Sequence, residues 1–139
     1  MTAPSTATLV EAIRSRRAVV GVVGQGYVGL PLALVFCEAG FTVVGFDLDA
    51  RKVEALNRGE SFIRHIGPGR VDAAVKSGRF QATTDFDRLA ACDAILICVP
   101  TPLTKQRDPD MRYVQDTVAA IAPRLRRGPY SEPKWIWWS

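Results

Sequence analysis

Residues 18–40 constrain the fold of this chain more tightly than any other stretch. An apolar, valine-rich run over residues 18–23 leads directly into the sequence GQGYVG at residues 24–29. Beyond the last glycine, apolar residues recur three and four positions apart, which predicts one buried face of a helix. These residues are Leu32, Val35, Phe36 and Ala39. Gly40 then supplies a helix stop, so the three glycines are predicted to lie between a buried strand and the start of a helix.

The spacing of the three glycines predicts a phosphate-binding turn. Gly24 would permit the tight turn, Gly26 would let a phosphate approach the backbone, and Gly29 would let the helix pack closely on the strand. The N–H groups at the positive end of the helix would then favour an anion. The alternative is a glycine-rich turn between a strand and a helix that binds no ligand.

Asp47 extends this prediction from a phosphate to a dinucleotide. It follows a second predicted strand, residues 41–46, and stands 23 residues after Gly24. In the dinucleotide-binding unit, an acidic residue at about this distance accepts hydrogen bonds from the adenosine ribose. Because a carboxylate also repels a 2′-phosphate, the prediction is NAD rather than NADP. The alternative is a solvated Asp that caps the next helix, although Asp49 is better placed for capping.

Composition places the chain among globular proteins. It has 139 residues, of which 47% are hydrophobic, and a net charge of +4. Because the basic residues are dispersed, this charge does not indicate a nucleic-acid partner. Cys37, Cys92 and Cys98 lie in apolar settings without metal-ligand spacing, which predicts reduced core residues in a cytoplasmic protein. Because this spacing is missing, no metal site is expected. No apolar run has the pattern of a secretory signal or a membrane span, so no membrane partner is expected.

The order of the elements predicts an α/β fold. Strands are predicted at residues 18–23, 41–46, 80–83 and 93–99, and helices at residues 8–14, 27–39, 50–57, 71–77, 86–91 and 111–125. Asp110 should cap the last helix, whose buried face should contain Val114, Val118 and Ile121. This alternation predicts a Rossmann-like, doubly wound parallel sheet. The predicted domains are an N-terminal tail with a short helix (1–17), a dinucleotide-binding domain (18–128) and an atypical tail (129–139).

The carboxyl ends of three predicted strands should form one crevice. The glycine turn and Asp47 lie at two of these ends, and the sequence CVPTP at residues 98–102 lies at the third. The last segment would face the middle of the dinucleotide with the backbone of Cys98 and Val99 and the hydroxyl of Thr101. Pro100 ends the strand before it. The alternative is a rigid loop that contacts no ligand.

Three motifs resemble the N-terminal domain of the UDP-glucose/GDP-mannose dehydrogenase family. They are GQGYVGLPLA from residue 24, GFDLDARKVEALNRGESFIRHI from residue 45, and CVPTPL from residue 98 with DPD at residues 108–110. Within the family, the likeness is to the UDP-N-acetylglucosamine 6-dehydrogenase branch.

The resemblance implies a set of NAD-binding residues. It implies that the glycine turn holds the pyrophosphate, through Gly24, Gln25, Gly26, Tyr27, Val28 and Gly29. It also implies that Asp47 binds the ribose with Lys52 beside it. From the residues alone, Lys52 and Arg51 either cover the adenosine side or are simply solvated. The segment that passes the nicotinamide half would be residues 97–101, which include Cys98, Val99, Pro100 and Thr101.

The resemblance further implies an enzyme that oxidises the C6 hydroxyl of a nucleotide-sugar substrate to a carboxylate with two NAD per turnover. Full-length members of the family are oligomers. Their catalytic cysteine lies in later segments, so no catalytic residue is assigned here. His65 is expected to be a surface or loop-packing histidine rather than a base.

The end of the chain departs from the family pattern after Gly128. It reads PYSEPKWIWWS, and its residues Trp135, Ile136, Trp137 and Trp138 are not expected to form a strand. A shifted reading frame or a truncated gene would give such an ending, and a functional short form is the alternative. Three interpretations remain open: the NAD-binding part of a nucleotide-sugar 6-dehydrogenase, a chain that binds NAD without catalysis, or a non-functional remnant.

Overall fold

The computed structural model describes residues 6–61, 63, 66–67, 69–99, 103–124 and 135–138. The helices are α1 (Thr6–Arg14), α2 (Gly29–Glu38), α3 (Ala50–Asn57), α4 (Arg70–Lys76) and α5 (Arg112–Ile121). The strands are β1 (Val19–Val23), β2 (Thr42–Phe46), β3 (Phe80–Thr83), β4 (Ala94–Ile97) and β5 (Trp135–Trp138). Two short 3₁₀ helices, Phe86–Ala91 and Ala122–Arg124, precede β4 and follow α5.

The five strands form one parallel sheet in the order β3-β2-β1-β4-β5. In the central strand β1, Val23 is level with Phe46 of β2 and with Ile97 of β4. The strand order reverses at β1, since β2 and β3 lie on one side of it and β4 and β5 on the other. A crevice therefore opens at the carboxyl ends of β1 and β4. The predicted doubly wound parallel sheet is confirmed.

Apolar side chains cover both faces of the sheet. One face packs against α2, α3 and α4, and its buried side chains include Val43, Leu30, Leu34 and Leu56. The other face packs against the first 3₁₀ helix and α5, and its buried side chains include Phe46, Leu89, Ile95 and Ile121. A parallel strand buried on both faces needs an almost continuous apolar run, which is what β1 supplies with the sequence VVGVV.

Most predicted elements are present with small shifts at their ends, and α5 shows why an end moves. It stops at Ile121 rather than residue 125, because Pro123 has no N–H to continue the α-helical bonds. At its start, the helix begins one residue later than predicted, and Met111 rather than Asp110 is the N-cap. The Asp110 carboxylate still accepts the Arg112 N–H at 3.1 Å. Among the helices of the described residues, none has the length and apolar character needed to cross a membrane.

Two predicted helix faces are wrong in part. In α2, Val35 is 54% exposed, whereas Leu30, Ala33, Leu34 and Cys37 are buried. Nearly every residue of α2 is apolar, so a spacing of three and four is met on more than one face and does not identify the buried one. In α5 the predicted residues Val114 and Ile121 are buried, but Val118 is exposed and Thr117 is buried instead.

The expectation that the tryptophan-rich tail forms no strand is also wrong. Residues Trp135–Trp138 form β5, which pairs in parallel with β4 from Ala94 to Ile97. Aromatic and β-branched residues favour strands, and the outer edge of β4 offers unpaired backbone groups to them. The domain boundaries drawn from the sequence stay a prediction.

Candidate dinucleotide-binding site

Two glycines of the turn between β1 and α2 are required by the fold. Gly24 has φ +95°, and a Cβ there would lie 2.6 Å from the backbone oxygen of Cys98. A Cβ on Gly29 would overlap the carbonyl oxygen of Gly24. The turn therefore packs tightly on itself and on the end of β4, as the sequence predicted for a tight turn and a close contact between helix and strand.

Gly26 differs from both. Its φ is not positive, and no described atom beyond its chain neighbours lies within 4 Å of the position that a Cβ would occupy. The fold therefore does not need a glycine there. A side chain would instead project into the open space at the mouth of the crevice, where a ligand could approach the backbone.

The N-terminus of α2 presents unpaired donors beside Gly26. No side chain caps this helix, whereas Asp49 caps α3 by accepting the Arg51 N–H at 3.0 Å. Within the described part of the chain, no acceptor is found for the backbone N–H groups of Gly26 and Val28. Unpaired N–H groups at the positive end of a helix form a site for an anion.

Asp47 lies beside the turn and is already engaged with it. Its Oδ2 accepts the backbone N–H of Gln25 at 2.9 Å, and its Oδ1 accepts the N–H of Asp49 at 3.0 Å. The Lys52 ammonium lies 4.0 Å from Oδ2, and the Asp47 side chain is 13% exposed. The structure thus brings together the carboxylate, the lysine and the glycine turn that the sequence singled out. A carboxylate oxygen accepts more than one hydrogen bond, so Asp47 retains capacity for a ribose hydroxyl.

The side chain of Gln25 lies beneath the turn and not in the crevice. It is fully buried, and its Nε2 donates to the carbonyl oxygens of Val22 at 2.7 Å and Gly24 at 3.3 Å. Its Oε1 has no hydrogen-bond partner within the described structure. The sequence assigned Gln25 to the cofactor site only as one member of the glycine motif and gave no separate role to its side chain.

The third segment of the predicted crevice is described only in part. The N–H of Cys98 donates to the carbonyl of Val23 at 2.8 Å, which fixes the end of β4 against the end of β1. Val99 follows it and packs on the opposite face of the sheet from Cys98. Pro100, Thr101 and Pro102 lie outside the described residues, as does His65.

The cysteines are buried and free, as predicted. Burial raises the pKa of the Cys98 thiol. Burial also raises the pKa of Cys37 to about 11, with the Glu38 carboxylate adding to the increase and Arg79 opposing it. At neutral pH both groups are thiols, and a thiol is a poor nucleophile.

Known nucleotide-sugar dehydrogenases are similar in sequence to most of this chain. It is 41% identical over 110 residues to the UDP-N-acetyl-D-mannosamine dehydrogenase of Salmonella typhi, covering 78% of this chain and 26% of that protein. It is 39% identical over 112 residues to the NDP-N-acetyl-D-galactosaminuronic acid dehydrogenase of Ralstonia nicotianae, covering 78% and 25%. The chain therefore spans about a quarter of the length of these relatives.

The fold is similar to that of a GDP-mannose dehydrogenase from Pseudomonas aeruginosa solved as a ternary complex. The TM-score is 0.73 at 31% identity, over 78% of this chain and 25% of that one. A family model described as the NAD binding domain of the UDP-glucose/GDP-mannose dehydrogenase family matches residues 18–130.

Proposed function

The chain belongs to the UDP-glucose/GDP-mannose dehydrogenase family, whose NAD-binding domain it carries, and we propose that this domain serves a nucleotide-sugar 6-dehydrogenase. The observation that carries the proposal is the mouth of the crevice at Gly26. There, a glycine that the fold does not require lies beside the uncapped N-terminus of α2 and the carboxylate of Asp47.

The residues of the crevice fit the parts of NAD. The N–H groups of Gly26 and Val28 would donate to the pyrophosphate, with the positive end of α2 behind them. Tyr27, whose side chain is 76% exposed, would extend the wall of the site above the phosphates. Asp47 would accept from the adenosine ribose, with Lys52 beside it. The end of β4 at Cys98 and Val99, continuing into Pro100 and Thr101, would lie along the nicotinamide half. NAD, when bound, accepts a hydride from the carbon that is oxidised.

The substrate that we propose for the whole protein is a nucleotide sugar oxidised at C6. Its relatives support this, since they include a UDP-N-acetyl-D-mannosamine dehydrogenase and an NDP-N-acetyl-D-galactosaminuronic acid dehydrogenase. Such a protein would be cytoplasmic and oligomeric, as the family resemblance implies.

The 139-residue chain by itself is proposed to bind NAD without oxidising a sugar nucleotide. The buried state of Cys37, Cys92 and Cys98 supports this, because oxidation of an alcohol to a carboxylate in this family needs an accessible thiolate. The chain alone and the proposed nucleotide-sugar 6-dehydrogenase would thus bind the same cofactor, but only the latter would carry out the oxidation.

Titration of the chain with NAD tests the proposal, with Gly26→Val as the decisive variant. The valine side chain would occupy the open space above the turn, so NAD binding should be lost while the melting temperature stays within a few degrees. Gly67→Val is the matched control, because Gly67 also lacks a positive φ and the nearest described atom would belong to the flexible Arg70 side chain, at 3.9 Å. Normal NAD binding by Gly26→Val would show that the glycine turn has only a structural role.

A further inference from the structure

The side chain of Gln25 is the most completely buried polar group near the crevice, and the proposed function leaves it without a role. Its amide lies under the glycine turn, and both of its hydrogen bonds go to backbone carbonyls of the strand end and the turn, those of Val22 and Gly24.

The peptide unit between Gly24 and Gln25 is held at both of its ends. Its carbonyl oxygen accepts from the Gln25 amide at 3.3 Å, and its N–H donates to Asp47 at 2.9 Å. In a trans peptide these two groups point in opposite directions, so the two contacts together fix the plane of the unit. The N–H of Gly26 belongs to the next peptide unit, so its direction depends on how this plane is held, and the N–H of Val28 follows two residues later in the same turn.

Gly45 of β2 provides the space that the Gln25 amide occupies. A Cβ at Gly45 would lie 2.7 Å from Cδ and 2.8 Å from Oε1 of Gln25. A glycine inside a strand marks a position where another group approaches the backbone closely. Here that group is the Gln25 side chain, so Gln25 and Gly45 act as a pair.

The amide is kept in this place despite an unpaired oxygen. Oε1 of Gln25 is buried without a partner among the described residues, which is unfavourable. An apolar side chain of similar size would fill the space without that penalty, but it would donate no hydrogen bond to the carbonyls of Val22 and Gly24. The benefit of the amide therefore lies in these two hydrogen bonds, which tie the end of β1 to the turn.

We propose that Gln25, seated on Gly45, is a positioning residue that orients the pyrophosphate-binding N–H groups of the glycine turn. The inference rests on the proposed function, because it assigns to Gln25 the preorganisation of the NAD site. It predicts a specific effect on ligands that contain the pyrophosphate.

The test compares ADP-ribose, which contains the pyrophosphate, with adenosine, which contains no phosphate. Calorimetry measures ADP-ribose directly and adenosine by competition, for the wild-type chain, Gln25→Leu and Gly45→Ala. Gly67→Ala is the control for a glycine substitution outside the pair. A variant that only lowers the folded fraction weakens both ligands by the same factor, so the ratio of the two affinities reports positioning.

In Gln25→Leu we expect ADP-ribose to bind about tenfold more weakly while adenosine changes less than about twofold, as for the loss of one well-aligned hydrogen bond to a charged group. Gly45→Ala should change the ratio in the same direction, and it decides the question by itself if Gln25→Leu does not fold. An unchanged ratio in both variants would overturn the inference and leave NAD binding intact. A wild-type chain that binds neither ligand would overturn the proposed function and this inference with it.

Discussion

Replacement of Asp47 by Asn tests the electrostatic logic of the site most directly. The two carboxylate oxygens accept from two different backbone N–H groups, Gln25 at 2.9 Å and Asp49 at 3.0 Å. An amide has only one oxygen, so Asp47→Asn can satisfy only one of these donors and turns an NH₂ group toward the other. The loss of a hydrogen bond to a charged group costs about 1.5–3 kcal/mol, and the free energy of unfolding should fall by roughly that amount.

The same change should weaken the preference for NAD over NADP. At a separation of about 4 Å, two unit charges interact by about 1 kcal/mol in water and by about 4 kcal/mol near a protein surface. Asp47 is 13% exposed, but the Lys52 ammonium at 4.0 Å offsets part of its repulsion of a 2′-phosphate. A net discrimination of about 1.4–2.8 kcal/mol follows, which is about ten- to a hundredfold in affinity. Asp47→Asn should bring the two affinities to within a few-fold.

Calorimetric titration with NAD and NADP at low ionic strength measures this ratio, and urea unfolding measures the stability. Asp49→Asn is the matched control, because Asp49 lies in the same loop but caps α3 through Arg51, and Asn is an equally good cap. If Asp47→Asn keeps the wild-type ratio of NAD to NADP affinity, the carboxylate does not select the cofactor and the reasoning fails.

Three further outcomes are expected. The side-chain amide of Asn57 donates to the carbonyl of Ala82 on β3 and accepts from its N–H, at 2.9 Å each. Asn57→Ala should therefore lower the free energy of unfolding, measured by urea titration, by about 1–3 kcal/mol. Glu54→Ala, at an exposed position of the same helix, is the control. Hydrogen bonds from Arg112 hold the pKa of Asp110 at about 2, below its ordinary value of 3.8. The contribution of this ionised carboxylate to the free energy of unfolding is present above pH 4 and is lost as the pH falls toward 2. Arg112→Gln should therefore make the free energy of unfolding depend less on pH in that range. Purified wild-type chain should produce no NADH from UDP-glucose, UDP-N-acetylglucosamine or GDP-mannose; sustained turnover after alkylation of all three cysteines would require another nucleophile.

The sequence predicted the sheet because its strands carry a signal that does not depend on tertiary detail. A parallel strand covered on both faces is apolar along its whole length, as β1 is, and this pattern distinguishes it from a strand with one solvated face. The helix faces were harder, since α2 is apolar on nearly all sides and only packing decides that Leu34 is buried and Val35 exposed. The sequence did not predict β5, because these four residues form a strand by pairing with the edge of β4, and that pairing depends on the tertiary fold.

The places of the motif residues in the fold were predictable, whereas the contacts that hold them were not. Spacing alone placed Asp47 at the end of β2, but no periodicity shows that its carboxylate accepts the N–H of Gln25. Likewise, the residues around Gln25 do not predict that its side chain is buried, because a glutamine beside two glycines is usually solvated. The only sequence signal is Gly45, a glycine within a strand, which marks a close approach without naming the group that makes it.

The three glycines of the turn separate what the fold needs from what a ligand needs. Gly24 and Gly29 are fixed by backbone contacts, so a side chain at either would be excluded even from a protein that binds nothing. Gly26 has no positive φ and open space among the described residues, so an alanine there would fit the described part of the fold. Glycine at such a position is unfavourable by roughly 0.5–1 kcal/mol, because the unfolded chain loses more conformational freedom on folding. The described contacts of the fold do not require this glycine, and the proposed site assigns it to a group that approaches the backbone from outside. The adjacent N–H groups of Gly26 and Val28 require that group to be an acceptor, and the uncapped end of α2 favours a negatively charged one.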